Sequence, residues 1–268
     1  MTSLALVLAA ALAGPPSPQA VPKTSAAPPK PVPNAASKPK PKPAPPRETG
    51  FFVTLGGGVA ALPLDWTSSA SWTLYAETAT LQSAQRASTG PVVEGTLSYR
   101  ITPRLGVAAA FGWSRRDGSA TVEAQLPHPL YLGRPRAVSG TAGSLDYRQL
   151  ASHFDFEWRP LLGKLELALF AGPSLLQVET ELVESVTPGE AYPYDTASFA
   201  SAVASPSKSA EGVGWNAGAA VSGRVARRLE LGLEARYSRA TPELTDSGTS
   251  VKLTAGGLDV TAFLRLGF

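Results

Sequence analysis

The fold is decided by the segment LDVTAFLRLGF, residues 258–268, in which every second side chain is apolar and the side chains between include an acid, a hydroxyl and an arginine. Successive side chains of a β-strand point to opposite faces, so this two-residue period predicts a strand with one apolar and one more polar face. Half-buried strands of soluble proteins and strands of membrane barrels share this pattern, and the rest of the chain has to distinguish them. The apolar parity consists of Val260, Ala262, Leu264, Leu266 and Phe268.

Seven other segments show the same alternation, which makes eight predicted strands. Short gaps of three to five residues alternate with long ones, and this order is typical of a meandering antiparallel barrel. In the fifth segment the parity of the apolar residues shifts after Pro173, which predicts a bulge. The strands are expected at residues 50–60, 92–101, 105–114, 150–158, 164–174, 212–224, 228–238 and 258–268, with long loops at 61–91, 115–149, 176–211 and 239–251.

Composition excludes several kinds of protein. The chain has no cysteine, so disulfide frameworks, thiolate zinc sites and cysteine nucleophiles are excluded. Residues 15–49 hold six basic residues and one acid, whereas the remainder has 18 basic and 20 acidic residues. A slightly acidic folded part indicates that nucleic acid is not a partner.

The N-terminal residues differ in composition from the rest. Residues 1–20 contain an apolar run from Leu4 to Ala13 that fits a secretory signal peptide, although an apolar disordered end is the alternative because no basic residue precedes the run. Residues 21–49 are rich in proline, lysine and alanine, which predicts a disordered, extended linker. We therefore expect a barrel over residues 50–268, a periplasmic linker before it, and contact of the linker lysines with anionic peptidoglycan.

The orientation of the apolar face separates a lipocalin-like soluble barrel, apolar inside, from a membrane barrel, apolar outside. Large aromatic residues fall near the strand ends of the apolar parity, as in the girdles that place rings at the lipid headgroup level. Phe51 belongs to this set at the short-turn end. The predicted girdle residues are Tyr99, Trp113, Trp158, Trp215, Tyr237 and Phe268.

The polar parity carries both signs of charge and favours arginine over lysine. Arginine is preferred where planar, multidentate pairing with carboxylates is enclosed, so these residues predict a network that fills a narrow lumen. The predicted network consists of Glu94, Arg100, His153, Asp155, Glu157, Glu166, Arg224, Glu230, Glu234, Arg236, Asp259 and Arg265.

With Phe268 on the apolar face of the last alternating strand, the chain resembles the outer-membrane β-barrel superfamily, specifically its small eight-stranded members such as the OmpA transmembrane domain and OmpX. The resemblance implies an all-β, eight-stranded antiparallel up-and-down transmembrane barrel in the outer membrane, in contact with outer-membrane lipid. It further implies that Val260, Ala262, Leu264, Leu266 and Phe268 form the assembly signal read by the barrel-assembly machinery. It covers residues 50–268 as architecture and only the last ten or so as a motif.

Few residues point to chemistry. His153 shares a face with Asp155 and Glu157, which suits a polar lumen better than a catalytic set, because residues two apart on a strand are simply neighbours. His128 lies between prolines and is expected in an exposed loop. No enzyme, cofactor or metal site is predicted. The favoured function is structural or adhesin-like binding through long outer loops; the alternatives are a secreted soluble barrel that binds an apolar ligand and a lipid-modifying outer-membrane enzyme.

Overall fold

The computed structural model describes residues 49–162, 165–246 and 249–268, and the chain in these ranges is built from β-strands. Among these residues no helix is long and apolar enough to cross a bilayer. The predicted signal peptide and nearly all of the predicted linker lie outside the described residues. The strands are β1 (Gly50–Ala60), β2 (Leu64–Leu74), β3 (Glu77–Ala87), β4 (Gly90–Arg100), β5 (Leu105–Leu126), β6 (Arg136–Trp158), β7 (Leu161–Leu162), β8 (Leu165–Thr180), β9 (Val183–Glu190), β10 (Ala197–Ala204), β11 (Lys208–Ala226), β12 (Leu229–Ala240), β13 (Glu243–Asp246), β14 (Thr249–Lys252) and β15 (Ala255–Gly267).

Eight strands form a ring in which each pairs with a neighbour on both sides. The order is β1, β4, β5, β6, β8, β11, β12 and β15, every pairing is antiparallel, and β15 returns to β1. The predicted all-β, eight-stranded antiparallel barrel is confirmed. Because the ring leaves no open edge, its backbone hydrogen bonds are satisfied without water.

Strand β5 shows how the barrel is divided along its axis. In its first half, outward side chains are apolar and exposed, among them Val107, Phe111 and Trp113. Beyond Trp113 the outward residues become polar, from Arg115 to Gln125, and beyond Arg116 the inward ones become small or apolar. The strand keeps one uninterrupted alternation of burial throughout, so the two halves of a single strand have opposite polarity.

Strand β8 has the same switch and corrects one prediction. Leu169 and Leu175 face outward below the switch, and the next residue, Leu176, is fully buried inside. The register with β11 runs through Pro173 opposite Trp215 without a shift, so the predicted bulge is wrong. The change of apolar parity marks the height at which the outside turns polar, not a break in the strand.

The long outer loops were also predicted wrongly, because most of their residues are in strands. β2 and β3 form a hairpin that pairs with the outer half of β5, while β9–β10 and β13–β14 are two further hairpins. The β2–β3 turn is formed by Tyr75 and Ala76 with φ of 51° and 66°. Such primed turns normally contain Asn-Gly or Asp-Gly, so no turn signal appeared in the sequence.

The outer strands surround an apolar core. The part of the barrel on the short-turn side of the polarity switch, which we call the lower barrel, does not. We call the outer part, formed by β2, β3, β9, β10, β13, β14 and the outer halves of β5 and β6, the outer lobe. Phe199 of β10 packs on this core and lies against Gly140 of β6, where a Cβ atom would meet the ring. Its buried residues are Ala79, Leu81, Ala120, Val122, Ala124, Leu126, Val138, Ala142, Leu145, Val183 and Val186.

Two substitutions on adjacent residues of β5 test the inside and outside of the lobe. Val122→Asp places a carboxylate in the apolar core and is expected to lower the free energy of unfolding of the lobe by about 3 kcal/mol or more. Thr121→Asp, on the outer face, is expected to change it by less than ~0.5 kcal/mol. Chemical unfolding followed by tryptophan fluorescence measures both, and equal effects would contradict the assignment of faces.

Candidate functional site

The lower lumen holds three arginines and three glutamates in mutual contact. Arg100 Nη2 lies 2.9 Å from Glu166 Oε1 and 3.5 Å from Glu230 Oε2. Arg265 is 3.5 Å from Glu230, and Arg159 donates to Glu166 at 2.5 Å and pairs with Glu157. All six side chains are buried, so their charges are compensated within the barrel. Removing one of these side chains would leave a buried charge without its partner, which lowers the free energy of unfolding by several kcal/mol. The stability of the group therefore depends on each of its members.

The middle of the lumen is organised by Arg236. Its guanidinium contacts Asp155 at 2.6 Å, Glu234 at 2.9 Å and Glu94 at 3.2 Å, and it donates to Asn216 Oδ1 at 2.9 Å. These partners come from β6, β12, β4 and β11, so one side chain ties together strands from around the ring. The guanidinium also lies over the ring of Phe170, 4.4 Å from its centroid.

His153 lies beside this group and contacts a serine. Its Nδ1 is 2.7 Å from Ser174 Oγ, which also accepts a 3.1 Å bond from Asn216 Nδ2. The carboxylate of Asp155 is bound to Arg236, and Ser174 is 2% exposed. The His153–Ser174 pair is thus part of the enclosed polar network.

At the top of the lumen an arginine binds backbone carbonyl groups instead of carboxylates. Arg116 donates to the carbonyls of Leu62 and Gly256 at 2.8 and 2.9 Å, and Gly256 N donates to Gln149 Oε1 at 2.8 Å. Gly256 has φ of 103°, and a Cβ there would lie 2.2 Å from the carbonyl oxygen of Ser238, so only glycine fits. Above this level the interior becomes apolar, with buried Leu64, Trp66, Tyr147, Leu176, Val178, Leu182, Leu244 and Leu253.

The structure places eleven of the twelve predicted network residues in the buried interior. The exception is Arg224, whose side chain is exposed because β11 ends two residues later, beside a register irregularity with β12. The prediction that Arg224 lies in the lumen is therefore wrong. Two interior arginines were missed: Arg159, just after its strand, and Arg116, within a predicted loop. Extending the parity of the neighbouring strands would have found both.

The predicted girdle residues lie near the two ends of the apolar belt. At the short-turn end Tyr99, Trp158 and Phe268 are exposed, and the ring of Tyr99 packs 4.7 Å from that of Phe51. Towards the lobe Trp113 and Trp215 are exposed, and Tyr237, partly exposed, packs 5.6 Å from Trp215. The residues of the predicted assembly signal, Val260, Ala262, Leu264, Leu266 and Phe268, have exposed outward side chains on and just after β15.

The far end of the outer lobe is a second candidate site, formed where three turns meet. Arg136 pairs with Glu190 and donates to the carbonyls of Pro127 and Tyr194, while Tyr75 donates to Glu190 at 2.6 Å. That bond raises the pKa of Tyr75 above its usual value. These contacts join the β2–β3, β5–β6 and β9–β10 turns, which we call the distal tip.

His128 at the distal tip corrects a further prediction. Instead of being exposed, it is 2% accessible, and its Nδ1 accepts the backbone N–H groups of Leu130 and Tyr131 at 3.1 and 3.2 Å. The buried imidazole thereby shapes the β5–β6 turn. The same turn leaves Leu130, Tyr131 and Leu132 exposed, with Leu132 at 80%.

Comparison with known proteins finds architectural likeness only. No family model matches the chain, and no curated protein resembles it in sequence. Among solved structures, Neisserial surface protein A is 17% identical over 82% of this chain and 97% of its own, with a TM-score of 0.41. The outer membrane protein OprG of Pseudomonas aeruginosa and the outer membrane protease OmpT of Escherichia coli are 10% and 11% identical over the same shares, with TM-scores of 0.41 and 0.48. These values transfer no function, and the fold rests on the strand pairing described above.

The role of Arg236 is tested by its replacement with leucine. Arg236→Leu leaves Glu94, Asp155 and Glu234 without their shared cation, and we expect the free energy of unfolding in detergent to fall by about 3–5 kcal/mol. The control, Arg239→Leu on the outer face of the same strand, is expected to change it by less than ~0.5 kcal/mol. Urea titration monitored by gel mobility of unheated samples gives both values; similar losses would show that Arg236 is not the centre of the network.

The filled lumen predicts that the barrel does not conduct ions. Eight strands leave an interior that side chains can fill, and here ion pairs occupy it beneath an apolar seal. In planar bilayers we expect purified full-length protein to give no stable current steps. Reproducible unit conductances from homogeneous protein would contradict this packing.

Proposed function

We propose that this chain is an integral outer-membrane barrel that holds a rigid binding lobe outside the cell. The observation that carries the proposal is the polarity switch along continuous strands. Below the switch the outside is apolar and the inside ionic, as required in lipid, whereas above it the outside is polar and the inside apolar, as required in water. The aromatic girdles stand at the two limits of the apolar belt, where a bilayer would have its headgroups.

The short-turn side would then face the periplasm. β1 begins at Gly50, so the linker over residues 21–49, after a signal peptide over residues 1–20, would enter the barrel from that side. There its lysines could meet peptidoglycan, and the outward side chains of β15 would be available to the barrel-assembly machinery.

The distal tip supports a surface-binding, adhesin-like role. From Trp113 to Leu126, β5 carries the tip roughly 30 Å beyond the girdle, at ~3.4 Å per residue and a tilt of ~40°. Single exposed apolar residues are ordinary, but a group of them on one surface marks an interaction site. The tip exposes Tyr75, Leu130, Tyr131, Leu132 and Tyr192, with Tyr192 82% exposed.

The soluble alternative fits the interior less well. A lipocalin-like barrel holds its ligand in an apolar cavity, whereas the lower lumen is occupied by the contacts of Arg100, Arg159, Arg236 and Arg265. Its exterior would also have to keep a continuous apolar belt in water. The geometry therefore favours the membrane and surface-binding proposal.

Attachment assays with tip variants test this function. Bacteria that express the full chain are expected to attach to epithelial monolayers, and Leu132→Ser with Tyr192→Ser is expected to reduce attachment about tenfold, because removing exposed anchors costs more than ~1 kcal/mol. Val203→Ser, at an exposed apolar residue of β10 away from the tip, is the control and is expected to leave attachment unchanged. Equal attachment by all three proteins, at equal surface expression, would refute binding through the tip.

A further inference from the structure

The lower barrel carries a groove on its outer, apolar surface. The groove has a volume of about 500 Å³, which is within the roughly 300–1,000 Å³ of small-molecule sites. Its lining is almost wholly apolar and spans β1, β4, β5, β6 and β8. The outward residues that line it include Phe51, Tyr99, Ala109, Phe156, Ala171 and Pro173.

Two adjacent rows of paired residues bound the groove. In the first row Phe51 pairs with Tyr99, Tyr99 with Val107, Val107 with Phe156 and Phe156 with Ala171. In the second row Leu97 pairs with Ala109 and Ala109 with Phe154, and Pro173 lies two positions beyond Ala171 on β8.

The direction of the rows gives the groove its length and slope. Four strand spacings of ~4.8 Å make it roughly 19 Å long. Because barrel strands are tilted by ~40°, a row perpendicular to them climbs the wall, here from the girdle at Tyr99 to the middle of β8. A groove that starts at the headgroup level and ends near mid-membrane has the dimensions of one leaflet, about half of the ~30 Å hydrocarbon core.

Charge at the lower end of the groove indicates which lipid would fit. Arg104 is exposed in the β4–β5 turn that follows Tyr99, and Arg224, Arg227 and Arg228 are exposed on the same side of the barrel. Among the described residues of these short turns, no Asp or Glu side chain is exposed. The acids nearest this side, such as Glu166 and Glu230, are inside the lumen and paired with arginines. The rim is therefore positive towards its surroundings.

We infer that the groove binds one anionic phospholipid of the periplasmic leaflet, with an acyl chain between the two rows and the phosphate at Arg104. The inference rests on the proposed membrane location but is independent of binding at the tip. The small side chains of Ala109 and Ala171 leave room for the chain, and the rings of Phe154 and Phe156 cover it from the side. On β12 and β15 the outward alanines Ala235 and Ala262 stand between projecting leucines, such as Leu231, Leu233 and Leu264.

Lipid retention by the purified full chain tests this inference. The protein is reconstituted into vesicles of phosphatidylglycerol and phosphatidylcholine, extracted again in mild detergent and weighed by native mass spectrometry. We expect the wild type to retain one phosphatidylglycerol molecule. Ala109→Phe with Ala171→Phe fills the groove and is expected to reduce retention about tenfold, whereas Ala235→Phe, an outward alanine of β12, serves as the control and is expected to retain the lipid.

A second pair of variants tests the headgroup contact. Arg104→Gln is expected to remove most of the preference for phosphatidylglycerol over phosphatidylcholine, and Arg228→Gln is expected to keep it. The inference is overturned if the inserted wild type retains no lipid, if the filled groove retains as much as Ala235→Phe, or if Arg104→Gln keeps the full preference. Failure of the membrane proposal itself would look different, because the protein would then not partition into vesicles at all.

Discussion

The structure depends on the closed ring of backbone hydrogen bonds formed by β1, β4, β5, β6, β8, β11, β12 and β15. Because the ring satisfies the backbone polar groups of these strands, the side chains are not needed for that purpose. Their polarity can therefore differ from one height of the barrel to another. Strand β5 uses this freedom fully, since Phe111 and Thr121 face the same way but are apolar and polar respectively. The ring is the common frame of a part with an apolar outside and a part with a polar outside.

The ionic lumen is the necessary counterpart of the apolar belt. Because the outside of the lower barrel is covered by leucines and aromatic rings, the interior receives the polar residues, and burial obliges them to pair. Arg236 forms ion pairs with three carboxylates, and Arg100 and Arg265 both pair with Glu230. A planar guanidinium with five donors suits this arrangement, whereas an ammonium would have to satisfy the same acids from one point. The network therefore fills the space that could otherwise form a channel.

Much of the lower barrel could be predicted from the sequence, because the two-residue period, the short turns and the parity of Leu231 and Arg236 are local features. The outer lobe could not be predicted in the same way. Its β2–β3 turn uses Tyr75 and Ala76 in a conformation that normally requires glycine or asparagine. The sequence therefore gave no turn signal, and a loop was predicted where β2 and β3 lie. In β8 the apolar residues change from the outward to the inward face between Leu175 and Leu176, and this change of parity led to the wrong prediction of a bulge at Pro173. The burial of His128 could not be read from its local sequence, because the turn that holds it also contacts residues distant in sequence, such as Asp195, 3.9 Å from its Nε2.

The outer face of β5 changes from apolar to polar between Phe111 and Arg115, and we infer that the surroundings of the barrel change there from lipid to water. The chain has no cysteine, so single cysteines at Val107, Phe111, Arg115, Ser119 and Glu123 can each carry a nitroxide label in the protein reconstituted in vesicles. Collision rates with oxygen, which concentrates in lipid, and with a water-soluble nickel complex then report the surroundings of each site. We expect oxygen-dominated collisions at Val107 and Phe111 and nickel-dominated collisions from Arg115 onwards. Nickel-dominated collisions at all five sites would show that the apolar belt does not lie in a membrane.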